Sequence, residues 1–243
     1  EICEGFDVSQ ACAPSLLRLV VRLLSMGFFT TTGSITAVVV AILAFLQQRA
    51  LQAPLPEGAK IITSHPILDA ILEEHKAVIG KQYHGYRNHC LTVMNLANHR
   101  MGGSLTEEQD DVLAVAAAFH DIALWTDNRI DYLDPSIARM EEYAKRTGRD
   151  KHIKLMRDMI YYHHKIFTGA FASMDPLIGA FQAADSSAFT FGLVPFDMST
   201  PYRAAVGKAL PNKGFHNFLV GRGARHLFSG KVTTMGPAPM FVL

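Results

Sequence analysis

The stretch AAAFHDIALW, residues 116–125, sets His120 beside Asp121 inside an otherwise apolar run. An imidazole and a carboxylate together can bind a metal ion, move protons or pair with each other. A carboxylate buried without a partner costs several kcal/mol, so this run calls for a compensating group. Three further places pose the same question. His89 shares a helical face with Val93, Leu96 and Ala97, at spacings of four, seven and eight. Asp185 lies in an apolar stripe with Leu177, Ile178, Phe181, Ala188 and Phe189. His163 and His164 flank a stripe of Ile153, Met156, Ile160 and Phe167, each about 50° to one side of it at 100° per residue. Met159 tilts the balance toward His163.

Taken singly, each position has a bland explanation. A lone inward histidine is usually a hydrogen-bonded core residue, and a lone inward aspartate is usually a cap or an ion-pair partner. Together they read differently, because no Lys or Arg lies on those faces to neutralise the acids. A divalent cation satisfies all of them at once. Two neutral imidazoles and two carboxylates, from His89, His120, Asp121 and Asp185, make a mixed nitrogen and oxygen set suited to Mn, Fe, Co, Ni, Zn or Mg. Such an ion lowers the pKa of bound water toward neutrality and polarises a phosphoryl oxygen. Asp121 or Asp185 can orient the water, and His163 or His164 can protonate a leaving oxygen. Lys165 is a candidate for phosphate charge, against the plain alternative of a solvated helix-end lysine.

These residues need helices to position them, and the pattern supplies helices almost throughout. The periodicity predicts one helix over Ile67–Ile79 and a second over Tyr86–Met101, broken by Gly102-Gly103. Thr106 caps a third that runs to about Trp125, with Glu107 and Glu108 in its first turn. Asp134-Pro135 starts a fourth, which Gly148 ends; Asp150 caps a fifth through about Lys165; Asp175-Pro176 opens a sixth ending near Gly192. A short helix follows over Tyr202–Ala209 between the turns GLVPFDMSTP and LPNKGF. No alternating strand pattern and no internal repeat is visible, so the expected class is all-α.

Other polar residues invite plainer readings. Arg87 stands about 200° round the helix from His89 and is not expected in the site. Lys81, Tyr83, His84 and Tyr86 read equally as a pocket rim or an ordinary loop. His65 and His75 are expected on or beside an exposed face. Asp127, Asp131 and Asp134 suggest a solvated loop with a weak case for a lid. His216 and His226, with Arg222 and Arg225, read as a basic, mainly solvated tail.

The chain has 243 residues, 49% of them hydrophobic, a net charge of +1 and three cysteines. The charge balance argues against nucleic-acid binding dominated by phosphate contacts. Cys3, Cys12 and Cys90 are too few and too scattered for a disulfide framework. Residues 26–46 carry no charge, and as a helix they span roughly 30 Å, a bilayer core's thickness. That run is longer than the roughly 7–15 apolar residues of a signal peptide. It reads as a membrane anchor or, alternatively, as a buried helix docked on the domain. The expected organisation is an N-terminal segment 1–52, a Pro- and Gly-containing linker 53–64, a metal-binding domain 65–230 and a tail 231–243. Without the anchor, the expected location is cytoplasmic.

The order His89, His120-Asp121, Asp185 resembles the HD superfamily of metal-dependent phosphohydrolases. YRNHCLTV is similar to that family's first-histidine helix, AAAFHDIALW to its doublet helix and AFQAADSS to the helix bearing the last aspartate. The resemblance covers about residues 65–192. It implies an HD-type helical bundle, with His89, His120, Asp121 and Asp185 as metal ligands and a small phosphate ester or nucleotide as substrate. YYHHKI resembles subfamilies that hold a second metal or use a histidine near the substrate. The turn after the doublet reads Leu124-Trp125, where the alarmone hydrolases have an acidic pair and some nucleotidases a single acid. HHKIFTGAF lacks the Gly-Tyr-Pro signature of the cyclic-dinucleotide group. Two other functions remain open: a dinuclear-iron oxygenase or small-molecule hydratase on the same scaffold, and a non-catalytic, membrane-anchored metal-binding module.

Overall fold

A computed structural model describes residues 54–56, 58–165, 171, 173–190 and 196–228. Among them the regular structure is entirely helical. The elements are α1 (Pro66–Glu74), α2 (Lys76–Ile79), α3 (Tyr83–Arg100), α4 (Glu107–Phe119), α5 (Ala123–Thr126), α6 (Leu133–Arg146), α7 (Ile153–Tyr162), α8 (Pro176–Phe189), α9 (Thr200–Ala209) and α10 (Phe215–Phe228). Short 3-10 turns at Gly80–Gln82 and Asp150–His152 lead into α3 and α7. The described residues from Leu55 onward belong to one compact unit, and of residues 1–54 only Pro54 is described. The apolar run 26–46 therefore lies outside the described residues. No helix among the described residues is long and apolar enough to cross a membrane.

The centre of the unit is α4 packed on α3. α4 is buried on every side from Val112 to Phe119, and its run Ala114 to Ala118, interrupted only by Val115, lets neighbouring helices approach closely. Its start is a capping box: Thr106 Oγ1 accepts from Gln109 N at 3.2 Å, and Gln109 Oε1 accepts from Thr106 N at 3.0 Å. α1, α3, α6 and α7 all pack on α4, and α8 runs along α3 and α7. Asp175 caps α8 through Leu177 N at 2.9 Å, with Pro176 in the first turn. Gly148, at φ 70°, turns α6 back toward α7.

Three helices stop sooner than periodicity predicts, and one device stops them. The run expected over Ile67–Ile79 breaks at His75, whose Nδ1 bonds the Ile71 carbonyl at 2.9 Å. That carbonyl is the acceptor the helix would need, and His75 N donates to Leu72 O instead. α4 stops at Phe119, short of Trp125, where His120 Nδ1 bonds the Ala117 carbonyl at 2.8 Å. Residues 120–122 then form a tight turn with i→i−3 bonds such as Ile122 N to Phe119 O. α7 stops at Tyr162, short of Lys165, where His163 Nδ1 bonds the Ile160 carbonyl at 2.6 Å.

The segment read as a solvated tail contains the unexpected α10. Lys213 and Gly214, at φ 53° and 84°, turn the chain into it. α10 begins against α3, where Gly85 gives it room. A Cβ on Gly85 would lie 3.0 Å from Asn212 O and 3.1 Å from Phe215 Cβ.

Candidate metal centre

The four side chains singled out as ligands converge. His89 comes from the inner face of α3, Asp185 from α8, and His120 and Asp121 from the turn after α4 rather than from a continuous helix. Their relative exposures are 5%, 4%, 0% and 3% in that order, so bulk water does not screen them. His89 Nε2 lies 3.1 Å from His120 Nε2 and 3.1 Å from Asp185 Oδ1. His120 Nε2 is 3.3 Å from Asp121 Oδ2 and 3.7 Å from Asp185 Oδ1. Metal–ligand bonds of about 2.1 Å give ligand–ligand edges of about 3.0 Å in an octahedron and about 3.4 Å in a tetrahedron. Three of the four separations fall in this range, and the fourth, 3.7 Å from His120 Nε2 to Asp185 Oδ1, lies above it. The donor set and its spacing therefore fit a divalent ion.

Ring orientation follows from the helix ends. A backbone carbonyl only accepts, so His120 Nδ1 carries the proton and Nε2 is left facing the carboxylates. His163 is arranged identically through Ile160 O, and its buried Nε2 reaches within 3.6 Å of Asp121 Oδ1. Among the described residues, each of these two atoms has only the other, 3.6 Å away, and neither has a partner within hydrogen-bond distance. Burial without a hydrogen bond is costly for both atoms, and a bound cation would offset that cost.

The turn itself is pinned from two sides. Tyr86 Oη donates to Ala118 O at 2.9 Å and accepts from Asp121 N at 3.3 Å. Ser136 Oγ accepts from Ala123 N at 3.2 Å. Among the described residues, the ion pairs formed by Asp121 and Asp185 are with histidines alone. Arg87, as expected, serves elsewhere: it clamps Asp69 at 2.7 and 2.9 Å.

The acids and imidazoles of this pocket shift one another. Burial pushes the His120 imidazole down, but Asp121, Asp185 and the Ala117 carbonyl outweigh it and lift the group to about 9. Burial raises Asp121, yet His120 and His163 bring its carboxyl well below the ordinary range. Burial likewise raises Asp185, and His89, His163 and His120 pull it below normal. The pocket thus keeps a proton that a metal ion would displace.

A second group adjoins the first. Asp121, His163 and His164 each offer a ligand atom, all within 4.8 Å of one another. His163 is fully buried and His164 partly exposed. Burial and His163 depress the His164 imidazole to about 3, so it is neutral. Lys165 goes elsewhere: its ammonium lies 4.3 and 5.2 Å from the ring centroids of Tyr161 and Tyr162.

Sequence reasoning missed Tyr132, which is buried with its hydroxyl on His164 Nε2. It also misplaced His216. That imidazole is buried at the start of α10, 6.1 Å from the His89 ring between centroids, and Phe215 packs on His89 at 4.8 Å. No local signal marks either residue; only tertiary packing brings them in. His65 is also buried rather than surface-facing, with Nε2 3.2 Å from Asp110 Oδ2. Of the rim candidates, Lys81 and His84 are exposed, whereas Tyr83 and Tyr86 are buried. Asp127 and Asp131 pair with Arg139 and Arg129. No family model, no curated protein and no solved structure matches the chain.

Proposed function

We propose that this protein is a metal-dependent hydrolase of the HD superfamily type, acting on a small phosphate ester or nucleotide. One observation carries the reading: buried donor atoms of His89, His120 and Asp121 lie within 4.8 Å of one another, Asp185 Oδ1 is 3.1 and 3.7 Å from the two imidazoles, and among the described residues both acids pair with histidines alone. Their order along the chain and the all-helical scaffold agree with the resemblance. When bound, a divalent ion supplies a nucleophile from water near neutral pH and polarises a phosphoryl oxygen.

The chain's own residues supply the rest. Asp121 turns Oδ2 toward His120 and Oδ1 toward His163, where Oδ1 can hold and orient a water proton. His163 Nε2, aimed by its Nδ1–H bond to Ile160 O, is placed to pass a proton to a leaving oxygen. Phe181, Phe215 and Tyr86 ring the imidazoles and exclude bulk water. Lys165 has no part here, because its ammonium is engaged with the two tyrosine rings.

Elemental analysis of the purified protein, followed by a phosphatase screen with each candidate metal, tests this. The expected outcome is a bound divalent metal and phosphate release from a monoester or diester. His120→Ala and Asp185→Asn are expected to lose both, by at least the roughly 10–100-fold that disturbing an outer-shell partner costs. A metal-free active enzyme would refute the assignment. Metal binding with no hydrolysis of any ester would leave a non-catalytic metal-binding module.

The Asp121, His163 and His164 group favours one other reading, a dinuclear-iron oxygenase on the same scaffold. Iron content with O2 consumption would select it. Attachment to a membrane through residues 26–46 is a separate proposal, tested by alkaline extraction of the full chain.

A further inference from the structure

Tyr132 stands against the second group of candidate ligands, Asp121, His163 and His164. It is 5% exposed and sits just before α6. It forms a small apolar cluster with Ala123 and Leu124, against which Trp125, Leu133 and, from α10, Phe218 and Leu219 pack. The hydroxyl bonds His164 Nε2 and lies beside the Asp121 carboxylate. The remaining donors of that group, Asp121 Oδ1 and His163 Nε2, are 3.6 Å apart and without hydrogen bonds.

A ring nitrogen has one position in the ring plane, filled by a proton, a hydrogen bond or a metal. Whichever of Tyr132 and His164 donates, Nε2 is taken. With Nε2 taken and His164 left only Nδ1, two donors of this group remain among the described residues, whereas protein sites use three or four.

Resting on the metal-centre reading above, we infer that Tyr132 is a positioning residue that reserves His164 and holds the centre to one metal ion. Its hydroxyl and a second cation are rival claimants to the same nitrogen. The loop that carries it is held in place from outside the pocket. Arg222 of α10 donates to Asn128 Oδ1 at 2.9 Å, and Asp127 accepts from Arg139 at 2.8 Å. The number of metals the centre accepts therefore depends on where this loop rests.

The test uses Co2+ and Mn2+ as probes on the full chain, counted by equilibrium dialysis. The wild type is expected to bind one ion per chain and Tyr132→Phe two, with Tyr132→Phe/His164→Ala returning to one. Two Mn2+ ions sharing Asp121 give an exchange-coupled electron paramagnetic resonance signal, expected only in Tyr132→Phe. A purely structural role for the hydroxyl predicts weaker binding in that variant, never an added ion. A wild type that already binds two ions, with the second weakened by Tyr132→Phe, overturns the inference and makes Tyr132 a support for a His164 Nδ1 ligand. One ion in both proteins also overturns it while leaving the metal centre intact. No ion in the wild type removes the metal-centre reading and this inference together.

Discussion

At the scale of single residues, the centre is an arrangement of opposed costs. Two carboxylates sit in a water-poor pocket, and the groups that offset them are imidazoles rather than fixed cations. The metal-free protein therefore has a pH signature. The His120 pKa is raised, to about 9, so the stability it contributes is full below its unfolded value of roughly 6.5 and is lost as pH rises through about 9. Asp121 and Asp185 are lowered, so their contribution is present above the ordinary carboxylate range and lost as pH falls below it. Melting temperature in chelator is expected to fall on both sides of neutrality. Saturating Mn2+ should abolish the alkaline fall, because the ion replaces the proton on His120. An alkaline limb that is identical with and without Mn2+ would show that His120 is not a ligand.

The convergence of His89, His120, Asp121 and Asp185 was legible because each is a polar intrusion on a periodic apolar face, a pattern that local sequence records. Tyr132 and His216 were not, since nothing near them distinguishes a site residue from a surface one. Tyr132 is buried in a cluster with Ala123 and Leu124 that Trp125 and Phe218 cover from different elements.

At the scale of elements, helix existence was legible and helix ends were not. Thr106, Asp175 and Gly148 act as their types suggest, because caps and left-handed turns are local chemistry. The breaks at His75, His120 and His163 depend on an imidazole outcompeting a backbone amide for a carbonyl, which hydrophobic periodicity does not report. α10 was missed because Gly221 and Gly223 lower its helix propensity by about 1 kcal/mol each relative to alanine. Packing restores it: the rings of Phe218 and Trp125 stack 5.4 Å apart at 7°. Asn88 Nδ2 also donates to Pro211 O at 2.8 Å.

The junction of α10 with α3 yields a specific expectation. Gly85→Ala ought to gain about 1 kcal/mol of helix propensity in isolation. Here the new methyl would meet the Asn212 carbonyl and Phe215 at about 3 Å, and overpacking costs about 1–3 kcal/mol. Urea unfolding is expected to show a net loss of stability. The metal affinity should drop as well, since Phe215 leans on the His89 ring. A more stable variant would mean that the junction yields freely.

At the scale of the whole molecule, one ion would tie α3, α8 and the turn after α4 together. Occupancy is then a folding term as well as a catalytic one. An ion that binds only the folded chain stabilises it by about 2.7 kcal/mol at a hundredfold excess over Kd. Removing the metal by dialysis against chelator is expected to lower the melting temperature by several degrees, with restoration on adding back Mn2+ or Zn2+. A melting temperature indifferent to metal would argue that the helices hold the four side chains together unaided. The all-α class was legible from composition and periodicity alone. The closing of these elements on one point was visible only as an inference from charges that had nowhere else to go.

The two inward-pointing imidazoles at positions 120 and 163 each anchor Nδ1 to a main-chain carbonyl three residues earlier. Their tautomers and tilts are thus prescribed by the covalent neighbourhood, ahead of any guest. Capture of an ion then requires no rearrangement of these rings, only departure of a proton and a shed hydration shell. Loading by stopped flow ought to follow a single concentration-dependent phase, with a rate that rises with alkalinity rather than levelling at a slow conformational limit.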